Sequence, residues 1–137
     1  MRHKSLTIAI DFDGTIVENQ YPKIGKPVIF AFETLKQLQE EGHRLILWTY
    51  RHGSELEDAI TFCEERGITF YAINKSFPEE EFDDTQSRKI LADIYIDDRN
   101  IGGLMEWGEI YHLLVNNKGM LKKKEKKKKG LFSIFKK

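Results

Sequence analysis

A run of ten residues near the start of the chain, Leu6-Thr7-Ile8-Ala9-Ile10-Asp11-Phe12-Asp13-Gly14-Thr15, constrains the fold more than any other stretch. Its first half is almost continuously apolar and rich in branched side chains, as a strand buried on both faces would be. It ends abruptly in two aspartates two positions apart, then glycine and threonine. Open α/β sheets place their ligands at the C-terminal ends of such strands. Two carboxylates this close do not both stay ionised comfortably unless a cation or a shared proton relieves them. The segment therefore predicts a buried strand that leads into metal-assisted chemistry. The plain alternative is an acidic turn with Asp-Gly at its corner.

The rest of the chain alternates strand and helix patterns. Residues 16–27 read as a short irregular connection, with Pro27 at a helix start, where its missing N–H costs nothing. Val28, Phe32, Leu35 and Leu38 recur at helical spacing and predict a helix over 28–41 that Gly42 ends. A second strand is predicted over Arg44–Thr49. Ser54 and Glu57 have capping-box spacing and open a helix that runs to about Arg66, with Gly67 as its stop. A third strand covers Thr69–Ile73, a polar loop follows over 74–84, and a short helix over 85–91 leads to a fourth strand, Ile94–Asp97. Leu104, Trp107, Ile110, Leu113 and Leu114 mark a final amphipathic helix. This alternation implies βαβ units. The fold class is α/β: a three-layer, Rossmann-like parallel sheet with helices on both faces and the first strand in its interior. The lone cysteine, Cys63, falls in a helical pattern as a small buried apolar residue, and no intrachain disulfide can form.

Parallel strands bring their C-terminal ends to one edge of the sheet. Asp11 and Asp13 follow the first strand, Thr49 the second and Asp97-Asp98 the fourth, so residues far apart in sequence converge. Several carboxylates at one edge call for a hard divalent cation, and Mg2+ takes one or two carboxylates together with waters and phosphate oxygens. A hydroxyl and a lysine are what remain to hold a phosphoryl group. Each residue also has a simpler role. Thr49 could cap the next turn, Asp97-Asp98 could be a turn, and Lys89 could be a solvated surface residue, with Arg88 and Lys75 as rival cations. Tyr50, Arg51 and His52 line the mouth of such a site, with Arg51 as a substrate contact.

In their order, Asp11-Phe12-Asp13-Gly14-Thr15, Thr49, Lys89 and Asp97-Asp98 resemble the four motifs of the haloacid dehalogenase (HAD) superfamily, over about residues 6–115. The resemblance implies a Mg2+-dependent phosphomonoester hydrolase. Asp11 would be the nucleophile that becomes an aspartyl phosphate, and Asp13 the general acid and then base. Thr49, Tyr50 and Lys89 would be phosphate-binding. Asp11, Asp13 through its backbone carbonyl, and Asp98 would hold the metal, and Asp97 would orient that shell. Residues 16–27 and 74–84 leave no room for a cap domain. Capless members act on large substrates or shield an open site with a second copy in a homo-oligomer. The Ile96-Asp97-Asp98-Arg99 form of the fourth motif also resembles the deoxyribonucleotidase branch, so a nucleotidase or nucleic-acid-end phosphatase is the alternative enzyme. The reading from another class is a phosphate-sensing or adaptor module, against which the intact Asp11/Asp13 pair argues.

The formal net charge of the 137 residues is zero, but the charge is unevenly spread. Residues 118–137 hold ten lysines and one acid, Glu125, so this tail carries +9 and residues 1–117 carry −9. The sequence thus divides into a catalytic domain over 1–117 and a lysine-rich tail, disordered by self-repulsion, with an apolar end, Leu131-Phe132-Ser133-Ile134-Phe135. Such a tail suits an anionic membrane surface, with nucleic acid as the competing partner. No signal peptide or membrane-length apolar run is evident, so the expected location is cytoplasmic, peripheral at the inner face of the membrane if the tail binds there.

Overall fold

The computed structural model describes residues 5–116. The lysine-rich tail and the partners expected of it lie outside these residues. Residues 5–104 belong to one compact unit, and residues 105–116 to a second.

In the first unit the opening apolar run forms β1 (Thr7–Ile10), where Ile8, Ala9 and Ile10 are all buried. The chain continues through β2 (Val17–Gln20), β3 (Lys23–Pro27), α1 (Ala31–Glu40), β4 (Arg44–Leu47), α2 (Gly53–Glu64), β5 (Ala72–Ile73) and β6 (Ile94–Ile96). Four strands make a parallel sheet in the order β5-β4-β1-β6, with Ile8 opposite Leu45 on one side and Ile94 on the other. β1 is interior, as its continuous apolarity requires. The crossovers from β1 to β4 and from β4 to β5 step in the same direction, and right-handed connections put α1 and α2 on one face. There Phe62 of α2 meets Phe12 and Phe32 edge-on or tilted. On the other face Ala9, Ile46 and Ala72 pack with Ile90, supported by Trp48 and Ala92. Cys63 is fully buried, and burial pushes its thiol up to about 12, so it is an inert core residue.

Several elements differ from the sequence expectation. Residues 16–27 are not irregular: β2 and β3 form an antiparallel hairpin, with Val17 opposite Pro27. It is mostly exposed, so it carries no apolar alternation to betray it. The hairpin uses Pro27, and the Val28 N–H donates to the Ile16 carbonyl, so α1 starts at Ala31 after Phe30 in the left-handed region (φ 65°). The Ser54–Glu57 capping box does not form. α2 begins at Gly53 with His52 at its N-cap, two residues before the expected cap, and the Ser54 hydroxyl bonds the Glu55 carboxylate. The third strand is cut to two residues because Thr69 donates its N–H to Gln39 of α1. No helix forms over 85–91: the side-chain oxygens of Asp83 and Ser87 take the N–H groups of Thr85 and Lys89. The connection that covers the second face is therefore irregular, not helical.

The second unit carries α3 (Trp107–Val115), with Trp107, Ile110 and Leu114 buried. Among the described residues no helix is long and apolar enough to cross a membrane.

Candidate active site

β1 ends at Ile10, and Asp11 emerges at the C-terminal edge, its N–H donated to the Ile96 carbonyl of β6. The next residues wind tightly. The N–H groups of Thr15, Ile16 and Val17 all reach the Phe12 carbonyl. β6 delivers Asp97 and Asp98 beside Asp11, and one carboxylate oxygen from each of the three lies within 4.8 Å of the others. Thr15, fully buried, joins them. Its hydroxyl lies 2.9 Å from Asp11 Oδ2 and 3.3 Å from Asp98 Oδ1, and it accepts the Asp98 N–H at 3.0 Å. One hydroxyl proton serves one carboxylate at a time, so the cluster keeps an excess of negative charge. Burial is the main force that pushes Asp11 up to about 7. The Thr15 hydroxyl opposes it, and Asp97 and Asp98 add to it.

Three half-buried carboxylates at this spacing form a hard, all-oxygen donor set, the chemistry that suits a divalent cation such as Mg2+. The set adds Asp97 to the expected Asp11 and Asp98 and does not bear on the backbone carbonyl of Asp13. Asp97 offers a carboxylate oxygen level with those of Asp11 and Asp98, and the Asp13 side chain lines the cleft outside this cluster. The strand does not continue to Asp13: after the turn at Phe12 its carboxylate pairs with Arg51, while the residue still lines the same cleft as Asp11.

The Arg51 side chain is fully buried. Its Nε donates to Asp13 Oδ2 at 2.7 Å and its Nη2 to Asp13 Oδ1 at 2.8 Å, a two-pronged ion pair. Nη1 donates to the carbonyls of Pro22 and Glu55, and Nη2 also to that of Lys23. All five N–H groups are thus used. The guanidinium lies over the rings of Phe12 and Tyr21, 5.1 Å and 5.2 Å from their centroids. The Asp13 bond holds it above even the ordinary guanidinium value. Arg51 is therefore not a substrate contact. It is buried, has no donor to spare, and ties Asp13, the hairpin turn and the start of α2 together.

A cleft of about 470 Å³ opens over the sheet edge, lined by Asp11, Asp13, Asn19, Tyr21, Thr49, Tyr50 and Arg99. Thr49 follows β4. Its N–H donates to Asn74 Oδ1, and its hydroxyl accepts the Arg51 N–H, which leaves the hydroxyl proton for a ligand. Asn74 sits in the left-handed region (φ 54°), a conformation that asparagine tolerates. Lys89 is not brought to the cleft. It is exposed on the irregular connection, with Nζ over the Tyr95 ring. Arg99 is the cation among the lining residues, and His52 is an exposed residue before α2. Sequence reasoning assigned no role to Thr15, Asn19, Tyr21, Asn74 or Arg99. Thr15 closes the first motif and Arg99 directly follows Asp98, which is a usable signal. The hairpin residues and Asn74 had none.

Gly14 has φ +87°, and a Cβ there would lie 2.2 Å from Asp98 Oδ2. Gly14→Ala is expected to strain the turn and displace Asp98, at a cost of about 2 kcal/mol or more. Urea titration of the variant, with divalent-cation binding followed by calorimetry, checks both effects.

No protein-family model matches the chain, and no curated protein matches it significantly. A solved structure of a conserved protein from Bacteroides thetaiotaomicron is 54% identical, with a TM-score of 0.78, over 83% of this chain and 93% of that one. At that identity and coverage, the chain belongs to the same family as this conserved Bacteroides protein.

Proposed function

We propose that the chain is a Mg2+-dependent phosphomonoester hydrolase of the HAD type that works through an aspartyl phosphate. The observation that carries this reading is the convergence of Asp11, Asp97 and Asp98 at the edge of two neighbouring parallel strands, with Thr49 lining the same cleft. Asp11, Asp97 and Asp98 would hold the cation, which when bound neutralises phosphate charge and polarises the P–O bonds. An Asp11 oxygen attacks phosphorus as the ester P–O bond breaks, and water then releases phosphate and regenerates the carboxylate. The Thr49 hydroxyl donates to a phosphate oxygen, and Arg99 supplies positive charge at the mouth. Asp13 is the acid–base candidate in the cleft, and its two-pronged pair with Arg51 would have to open before it passes a proton to the leaving oxygen and takes one from water.

Phosphate release from p-nitrophenyl phosphate in the presence of Mg2+ tests the reading. Turnover is expected to stop with EDTA and to fall about 10³-fold or more in Asp11→Asn. A folded, metal-supplied protein that releases no phosphate from this ester, nucleotides, sugar phosphates or phosphopeptides would overturn it.

A further inference from the structure

We propose that Tyr21 and Tyr50 form a subsite for a planar aromatic ring carried by the leaving group of the phosphomonoester, an inference that rests on the hydrolase reading for its reaction. The two rings stand at the mouth of the cleft, edge to face, with centroids 6.1 Å apart and planes at 70°. Tyr50 is 85% exposed, and Tyr21 is 41% exposed. A tyrosine left this bare contributes little to the fold. It offers a ligand a rigid, amphipathic surface at low entropic cost, since only two side-chain torsions need fixing.

The platform is held before any ligand arrives. Arg51 covers the Tyr21 ring from inside and bonds the carbonyls of Pro22 and Lys23, which fixes the hairpin turn that carries the ring. Such preorganisation removes an ordering cost from binding. On the same hairpin Asn19, which also lines the cleft, accepts the Tyr21 N–H on Oδ1 at 3.2 Å, so its amide N–H groups are not used in that bond. The same cleft is lined by polar groups, among them Asp11 and Thr49, whose hydroxyl accepts the Arg51 N–H and keeps its proton to donate. A volume of about 470 Å³ lies within the range of small-molecule sites, roughly 300–1,000 Å³. A lining that combines polar groups with two aromatic rings matches a ligand that carries both a phosphate and a ring. A nucleobase and a phenol ring share this chemistry.

Two matched pairs of probes separate these sources: adenosine 5′-monophosphate against ribose 5-phosphate, and phosphotyrosine against phosphoserine. Binding is measured by calorimetry on full-length Asp11→Asn, and turnover on the wild type with Mg2+. In at least one pair the ring-bearing member is expected to bind about tenfold tighter, within the roughly 5- to 100-fold range of aromatic stacking. Tyr50→Ala should bring that ratio close to one, and Tyr50→Phe should retain it. A preference in the first pair assigns a nucleobase, and in the second a phenol ring. Equal binding within each pair, a ratio indifferent to Tyr50→Ala, or no binding of any probe overturns the inference. Turnover without a ring preference overturns it and leaves the hydrolase standing. Ring-dependent binding without turnover of any phosphoester keeps the subsite and overturns the hydrolase.

Discussion

Arg51→Ala is expected to destabilise the protein by about 3–5 kcal/mol, the cost of breaking a buried ion pair from one side. The substitution leaves Asp13 without its partner and strips three backbone carbonyls of a donor. It also empties the space between the Phe12 and Tyr21 rings. In a unit of this size such a loss lowers Tm by roughly 15 °C or more. Arg51→Lys should recover little, because three donors on a point charge cannot replace a planar fork of five. Urea titration gives the answer: the midpoint should fall in both variants with the slope unchanged. A loss below about 1 kcal/mol in Arg51→Ala would show that the arginine is not the clasp its contacts describe.

Asp11→Asn should act in the opposite direction on stability while it removes activity. In the absence of metal, Asp11 titrates at about 7 in the folded chain and near its ordinary value of 3.8 when unfolded. Between those values the folded state binds more protons than the unfolded state, so stability falls as pH rises from about 4 to 7, and the full penalty persists above that range. Asp11 is only half-buried, so solvent screening leaves roughly 1–2 kcal/mol of this penalty. Metal-free Asp11→Asn is therefore expected to melt about 5–10 °C above the wild type at pH 8, with the gap narrowing towards pH 5. Saturating Mg2+ should raise the wild-type Tm and close the gap, since a ligand held only by the native state stabilises it. Thermal melts with EDTA and with Mg2+ at the two pH values test this. A variant less stable than the wild type at pH 8, or a gap that does not change with pH, would contradict it. A variant more stable than the wild type at pH 8 would mark the site as a place where the chain gives up stability for the carboxylate cluster.

The parts of the fold visible in the sequence are those in which burial is dense and local. Ile8-Ala9-Ile10 and Leu45-Ile46-Leu47 are buried on both faces and could be little else than interior strands. The three aspartates that gather at the edge were legible for the same reason, because parallel strands converge whatever lies between them. The hairpin was hidden because its residues face water and carry no alternation. Lys89 was misplaced because the helix expected to carry it loses its N–H groups to nearby side-chain oxygens. Arg51 was misread for a different reason. A cation after a strand end looks like a ligand contact, and its true partner, Asp13, lies 38 residues away, beyond the reach of any local pattern.

Distance along the chain also sets when the site comes into being. Thr15 and Asp98, whose bonds close the acidic cluster, are 83 residues apart, and the Thr7–Asp93 bond at the start of the same pairing spans 86. Loops of that length close late, after the nearer β1–α1–β4 and β4–α2–β5 contacts have formed. In a chain made from its N-terminus, Asp11 therefore precedes its partners on β6 by more than 80 residues, and until they are made one flank of β1 has no strand to pair with. The same strand, β6, both pairs with that flank and brings Asp97 and Asp98 to Asp11, so the pairing that completes the sheet also completes the acidic cluster.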